Sequence, residues 1–228
     1  MDLKALAAER ALRYVTNEVK ALGLGTGSTA EKFLDRLSLG IQSGQFKNLV
    51  GVPTSLRTQE YAKRLKIPLA TLDEVESIDL TIDGADEVDP RLNLIKGHGG
   101  ALTREKTVAR ASRQLIIIID DSKRVDRLGT GLALPVEVLP FGWTQVQRSL
   151  INLGFTPVLR LGGDKKPFMT DQNNYILDCS FANGISSPQK VDRALNDLTG
   201  VVEHGLFLGM ADRVVVASAK SVEVLERE

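Results

Sequence analysis

Between residues 81 and 106 the chain reads TIDGADEVDPRLNLIKGHGGALTREK, and side chains that can hold or move charge crowd this stretch. Asp83 and Asp86 are separated by Gly84 and Ala85, so a tight turn would present both carboxylates to one cleft. Acidic turn residues after a strand are also common without any ligand, and carboxylates so placed suit Mg²⁺. The nearby Lys96 competes with such a cation for anionic partners. Lys96 heads the glycine-rich run Gly97-His98-Gly99-Gly100, and a lysine beside free loop amides can stabilise an anion or a developing enolate oxygen. His98 could act as acid or base near neutrality, although no spacing pairs it with another catalytic group. Glu105 stands near the start of the next helical pattern, where a glutamate is ordinary helix chemistry. Its company of two acids, a lysine and a glycine loop, all around the ends of adjacent elements, shifts the balance from that reading.

A second cluster comes earlier, in Gly23-Leu-Gly25-Thr26-Gly27-Ser28-Thr29. Glycines let the backbone approach a ligand, and the amides at a helix start, with the hydroxyls of Thr26, Ser28 and Thr29, can donate to an oxyanion such as phosphate. The same residues also make a plain strand-to-helix turn with Ser28 or Thr29 as N-cap. A dinucleotide would need an acid at the end of the following strand to hold the ribose. That strand ends Gly51-Val52-Pro53-Thr54-Ser55, and no Gly-Lys-Ser/Thr ending is present. A smaller phosphorylated metabolite fits better. Lys123, in Asp121-Ser122-Lys123 just past four consecutive isoleucines, supplies one more cation, with Asp120 as a solvated neighbour.

The elements that would position these groups alternate between helix and strand, the pattern of an α/β fold. A helix is expected at about 3–17, then strands at 19–25, 48–52, 78–83 and 114–120, with helices between them. The isoleucine run suits a parallel strand covered on both faces. From about Leu134 the order becomes β-α-β-β-α-β, ending in VVEHGLF read as one strand, which is the ferredoxin-like split βαβ. This places an inserted small α+β domain at 132–207, leaving 1–131 plus 208–228 as the larger domain. DRVVVASA then gives a strand that could return to the first sheet.

Composition narrows the classes of function. Over 228 residues Lys plus Arg equals Asp plus Glu at 29 each, so no global field favours nucleic acid or an acidic membrane. The N-terminal pattern is amphipathic without a continuous apolar run, so neither a signal peptide nor a membrane span is expected. The single Cys179 reads as a small apolar strand residue and suits a reducing, cytoplasmic compartment. His98 and His204 form no cluster with it, so a structural zinc is not expected.

Taken together, GLGTGST, TIDGADEVD, LIKGHGGALTREK, DDSK and LPVEVLP, in this order and spacing, closely resemble the A-type ribose-5-phosphate isomerase family. The resemblance spans essentially the whole chain. It implies a Rossmann-like parallel-sheet domain with a smaller α+β domain and an aldose–ketose isomerase of the non-oxidative pentose phosphate pathway. Such an enzyme interconverts D-ribose 5-phosphate and D-ribulose 5-phosphate through a cis-enediolate, with no cofactor and no metal. It implies substrate contacts from Thr26, Gly27, Ser28 and Thr29, from Asp83, Gly84, Ala85 and Asp86, from Lys96, Gly97, His98 and Gly99, and from Lys123. Glu105 is implied as the base, with Lys96 stabilising the enediolate and Asp83 assisting ring opening. A homo-oligomer is implied, a dimer in preference to a tetramer, with the small domain at the subunit contact. A nicotinamide-dependent oxidoreductase and a non-catalytic sugar-phosphate sensor are the rival readings.

Overall fold

In the computed structural model, which describes residues 2–227, the four isoleucines Ile116–Ile119 are at most 1 % exposed. A strand buries consecutive side chains only when both of its faces are covered. In chain order the elements are α1 (Leu3–Leu12), β1 (Ala21–Leu24), α2 (Ser28–Gln42), β2 (Val50–Pro53), α3 (Leu56–Arg64), β3 (Leu80–Asp83), β4 (Glu87–Val88), β5 (Leu94–Ile95), α4 (Leu102–Arg110) and β6 (Leu115–Asp120). There follow β7 (Leu134–Val138), α5 (Trp143–Asn152), β8 (Thr156–Leu159), β9 (Tyr175–Ser180), α6 (Pro188–Asn196), β10 (Val201–His204), β11 (Leu206–Phe207), β12 (Arg213–Ala217) and β13 (Val222–Glu226).

The chain divides into two compact units. The first takes in the chain up to Ala85, Arg104–Lys123 and the chain from Met210. Its sheet runs β13-β12-β6-β3-β1-β2, parallel except for β13, which pairs antiparallel with β12. Helix α1 starts where the Asp2 side chain accepts from the Ala5 amide at 3.1 Å. Phe33, Leu34 and Leu37 recur at helical spacing along α2 and are buried with Leu22, Leu24, Ile82, Ile116 and Ile118 of the sheet. Each fully buried leucine or isoleucine contributes about 1.5–3 kcal/mol. Val52 and Ile78 join Val108 of α4 in a separate cluster.

Sheet order fixes where a ligand can sit. The chain goes from β1 outward to β2, then returns to place β3 on the other side of β1. The direction of winding therefore reverses between β1 and β3. In open α/β sheets the crevice outside the carboxyl ends of the strands at such a reversal is the binding position.

The second unit takes in Asp86–Thr103 and Arg124–Gly209. Its four-stranded sheet has the order β10-β7-β9-β8, every pair antiparallel, which is the ferredoxin-like arrangement. Val146 and Leu150 of α5 and Leu195 of α6 pack with Leu134, Val136, Val138, Leu177 and Cys179 of the sheet. A three-stranded sheet, β11-β5-β4, completes the unit. The stretch 86–103 and residues 124–131 thus group with the 132–207 segment.

Several element boundaries differ from expectation. Helix α1 ends at Leu12, not near 17. VVEHGLF is two strands: β10 pairs with β7, whereas β11 pairs with β5. Gly205 separates them, and a Cβ there would collide with the Lys96 carbonyl oxygen, so the close approach needs glycine. DRVVVASA does return to the first sheet, as β12 beside β6. No helix among the described residues is long and apolar enough to cross a membrane.

Candidate functional site

In the first unit the loops after β1 and β3 meet at the reversal point. Asp83, the last residue of β3, is 1 % exposed. Its Oδ1 accepts from the Thr26 amide at 3.0 Å and from the Gly84 amide at 2.7 Å. Gly25 makes this possible, because a Cβ at that position would overlap Asp83. Both amides thus place their donors on this one carboxylate oxygen.

The Thr26 side chain is occupied as well. Its hydroxyl donates to Ser55 Oγ at 2.8 Å, Ser55 to Thr58 Oγ1 at 3.0 Å, and Thr58 to the Gly25 carbonyl at 3.0 Å. Thr54 Oγ1 donates to the Leu24 carbonyl at 3.0 Å and lies 2.8 Å from Thr26 Oγ1. Every hydroxyl proton of this cluster thus has an internal acceptor. Thr54 and Ser55, conspicuous in the sequence only for not being acids, tie the β1 loop to the end of β2.

Helix α2 begins at Ser28 with Gly27 as its N-cap and no side-chain cap. The first amides of a helix have no intrahelical partner and favour an anion. Lys4, on α1, donates through Nζ to Ser28 Oγ at 2.8 Å and brings an ammonium to this helix start. The sequence offered no sign of Lys4, since 24 residues separate it from Ser28. Thr29 is half-buried in the same first turn. Lys123 lies in a short 3₁₀ turn immediately after β6, at the same carboxyl edge of the sheet as Asp83. Glu105 sits in the first turn of α4 and is 4 % exposed.

The second unit carries the remaining residues. The Asp86 amide donates to the Ile95 carbonyl at 2.9 Å, while its Oδ2 accepts from the His98 amide at 3.0 Å. The Lys96 amide donates to the Gly205 carbonyl at 2.9 Å, and its ammonium lies 5.6 Å from the centre of the Phe207 ring. That face-on placement favours a cation. Lys96 is only 2 % exposed. The Gly100 amide closes the turn 97–100 on the Gly97 carbonyl at 3.0 Å. The Nε2 of His98 lies 2.9 Å from the Ala133 carbonyl. A carbonyl can only accept, so Nε2 carries a proton and the imidazole acts as an anchor for the loop.

Arg160 is another residue that the motifs do not announce. Its Nη1 donates to the carbonyls of Gly97 and His98 at 3.0 and 3.1 Å, and Asp178 holds the rest of the guanidinium in a bidentate pair. Glu137, 0 % exposed, accepts from Thr103, Thr170 and Asn174, and so secures the residue at the start of α4. Among the described residues no group of three His, Cys, Asp or Glu side chains is arranged to hold a metal ion.

Residues 50–221 match the family model described as ribose 5-phosphate isomerase A (phosphoriboisomerase A). The chain is 49 % identical to ribose-5-phosphate isomerase A of Roseiflexus castenholzii, over 96 % of this chain and 93 % of that protein. It is 46 % identical to a probable chloroplastic ribose-5-phosphate isomerase 3 of Arabidopsis thaliana, over 99 % of this chain and 83 % of that one. The solved ribose 5-phosphate isomerase from Plasmodium falciparum superposes with a TM-score of 0.95 at 40 % identity, covering 99 % of this chain and 98 % of that one. By a family match over residues 50–221 and by relatives similar along nearly its whole length, this chain belongs to the ribose 5-phosphate isomerase A family.

Proposed function

We propose that this enzyme, an isomerase of ribose 5-phosphate and ribulose 5-phosphate in the pentose phosphate pathway, works through a cis-enediolate with Glu105 as the base. The observation that carries the reading is Asp83, a buried carboxylate fixed by the Thr26 and Gly84 amides at the winding reversal of the sheet. The Glu105 carboxylate removes the C2 proton of the open-chain aldose. The C–H pair becomes the C1=C2 bond, and the carbonyl pair moves onto O1. The O2 proton passes to O1, and the protonated Glu105 returns its proton to C1. Lys96 and the amides of the 97–100 turn stabilise the negative oxygen, the contribution expected to lower the barrier most.

Asp83 and Asp86 hold the sugar hydroxyls. Asp83 also assists ring opening by taking the O1 proton and passing it to the ring oxygen as the C1–O4 bond breaks. The segment from Thr26 to Thr29, with Lys4 and Lys123, anchors the phosphorylated substrate; Thr26 contributes by fixing Asp83. Binding energy from the phosphate holds the reacting carbons in place. The direct test follows conversion of ribose 5-phosphate to ribulose 5-phosphate with and without EDTA. Equal rates are expected. A loss that a divalent metal restores would overturn the metal-free reading.

The small domain, about 132–207, serves as the subunit contact of a homodimer, the larger domain, 1–131 with 208–228, being the catalytic one. Support comes from exposed apolar side chains on the second unit, Phe141 at 94 %, Val158 at 59 % and Leu139 at 47 % exposed. Sedimentation of Phe141→Asp should report a monomer, and a particle of unchanged mass would contradict this. A cytoplasmic location suits the free, buried Cys179, and cell fractionation tests it.

A further inference from the structure

Arg160 follows β8, where its amide donates to the Ile176 carbonyl at 2.9 Å and keeps it in register with β9, the strand of Asp178. Nε lies 2.8 Å from Asp178 Oδ2 and Nη2 2.5 Å from Oδ1. This two-point contact fixes the plane of the guanidinium. The Phe168 ring centre, 5.8 Å from Arg160 Cζ, limits the guanidinium from another direction. The side chain is 13 % exposed. What remains of the fork, Nη1, reaches two successive carbonyls, those of Gly97 and His98.

Two successive carbonyls turned toward one cation dictate where the adjoining amides point. The chain has no cis peptide bonds among its described residues, and in a trans peptide the N–H is antiparallel to the C=O. The amides of His98 and Gly99 are therefore directed away from Arg160. That of His98 is taken by Asp86 at 3.0 Å. The Gly99 amide is left as the donor that the turn presents, and the guanidinium polarises its peptide.

We propose that Arg160, oriented by Asp178, is a positioning residue that aims the Gly99 amide at the enediolate oxygen. The proposal rests on the reading that the 97–100 turn stabilises the enediolate. Its effect should appear in the transition state and not in ground-state binding. A misdirected donor costs about 10- to 100-fold in rate.

The experiment compares wild type with Arg160→Met, Arg160→Lys and Asp178→Asn. It uses kcat, KM and competitive inhibition by two probes: inorganic phosphate and a phosphorylated four-carbon hydroxamate whose planar anionic group copies the enediolate. Arg160→Met should lose roughly 10- to 100-fold in kcat with KM within about threefold. Hydroxamate affinity should fall by the same factor as kcat/KM, and phosphate affinity should hold. Added guanidinium ion should restore part of the lost kcat in this variant and none in wild type. Asp178→Asn should shift kcat and hydroxamate affinity in the same direction. If Arg160→Met does not fold, Arg160→Lys carries the test, since it keeps the charge and loses the fork. Native kcat and hydroxamate affinity in the folded variants, or a rise in KM alone, would overturn the proposal. Wild type that fails to bind the hydroxamate in competition with ribose 5-phosphate would instead overturn the reading of the turn on which it rests.

Discussion

The Thr26 amide donates to Asp83 Oδ1 at 3.0 Å, so the loop after one strand is locked to the carboxylate that ends its neighbour. Asparagine can still accept at that oxygen, whereas alanine cannot. Asp83→Asn should keep its melting temperature within a few degrees, as a loss of about 1 kcal/mol implies, yet lose activity with the charge. Asp83→Ala should lose both. Melting curves and kcat/KM measured on the same preparations separate the two effects, and an Asp83→Asn enzyme with native activity would contradict the role assigned to the charge.

Lys4 and Thr29 bear on phosphate. An ammonium bonded to Ser28 at 2.8 Å beside the open end of α2 should strengthen anion binding there. Lys4→Met is expected to weaken competitive inhibition by inorganic phosphate about 10-fold, the size of a hydrogen bond to a charged group. Thr29→Val should raise KM for ribose 5-phosphate with a smaller effect on kcat. Unchanged phosphate inhibition and KM would remove both residues from the anchoring role.

Strand ends and glycine turns write themselves into local sequence, so much of the first sheet is legible there. The apolar run at 114–120 marked β6, and TIDGAD marked the end of β3 at Asp83. Other features have no local signature. Strands β4, β5 and β11 have two residues each, too few for a period of two to register. Strand β13 carries Glu223 and Glu226 and is recognisable only as the partner of β12. The Arg160 clamp on Gly97 spans 63 residues, and the Thr26–Ser55 contact spans 29. Such contacts depend on the sheet order, which periodicity does not reveal.

Cys179 gives a prediction with a definite sign. Burial is the main cause, with the charge of Asp178 adding to it, of a thiol pKa pushed up to about 12 from its ordinary 9.0. The folded state therefore holds the proton where the unfolded chain releases it. The stability this represents is fully present below about pH 9 and is lost as pH rises toward 12. A thiol reagent at pH 8 should leave the native enzyme unlabelled and modify Cys179 completely in denaturant. Rapid labelling of the native enzyme would contradict the buried placement.

Glu105 tests the account most directly. Glu105→Gln keeps the shape of the side chain and removes its ability to take a proton, so ribose 5-phosphate should bind nearly as in wild type while kcat falls by roughly 10²-fold or more. In D₂O the exchange of label into C1 and C2 should fall by the same factor as turnover. Undiminished isotope incorporation in Glu105→Gln would contradict proton transfer by this carboxylate and, with it, the mechanism proposed for the enzyme.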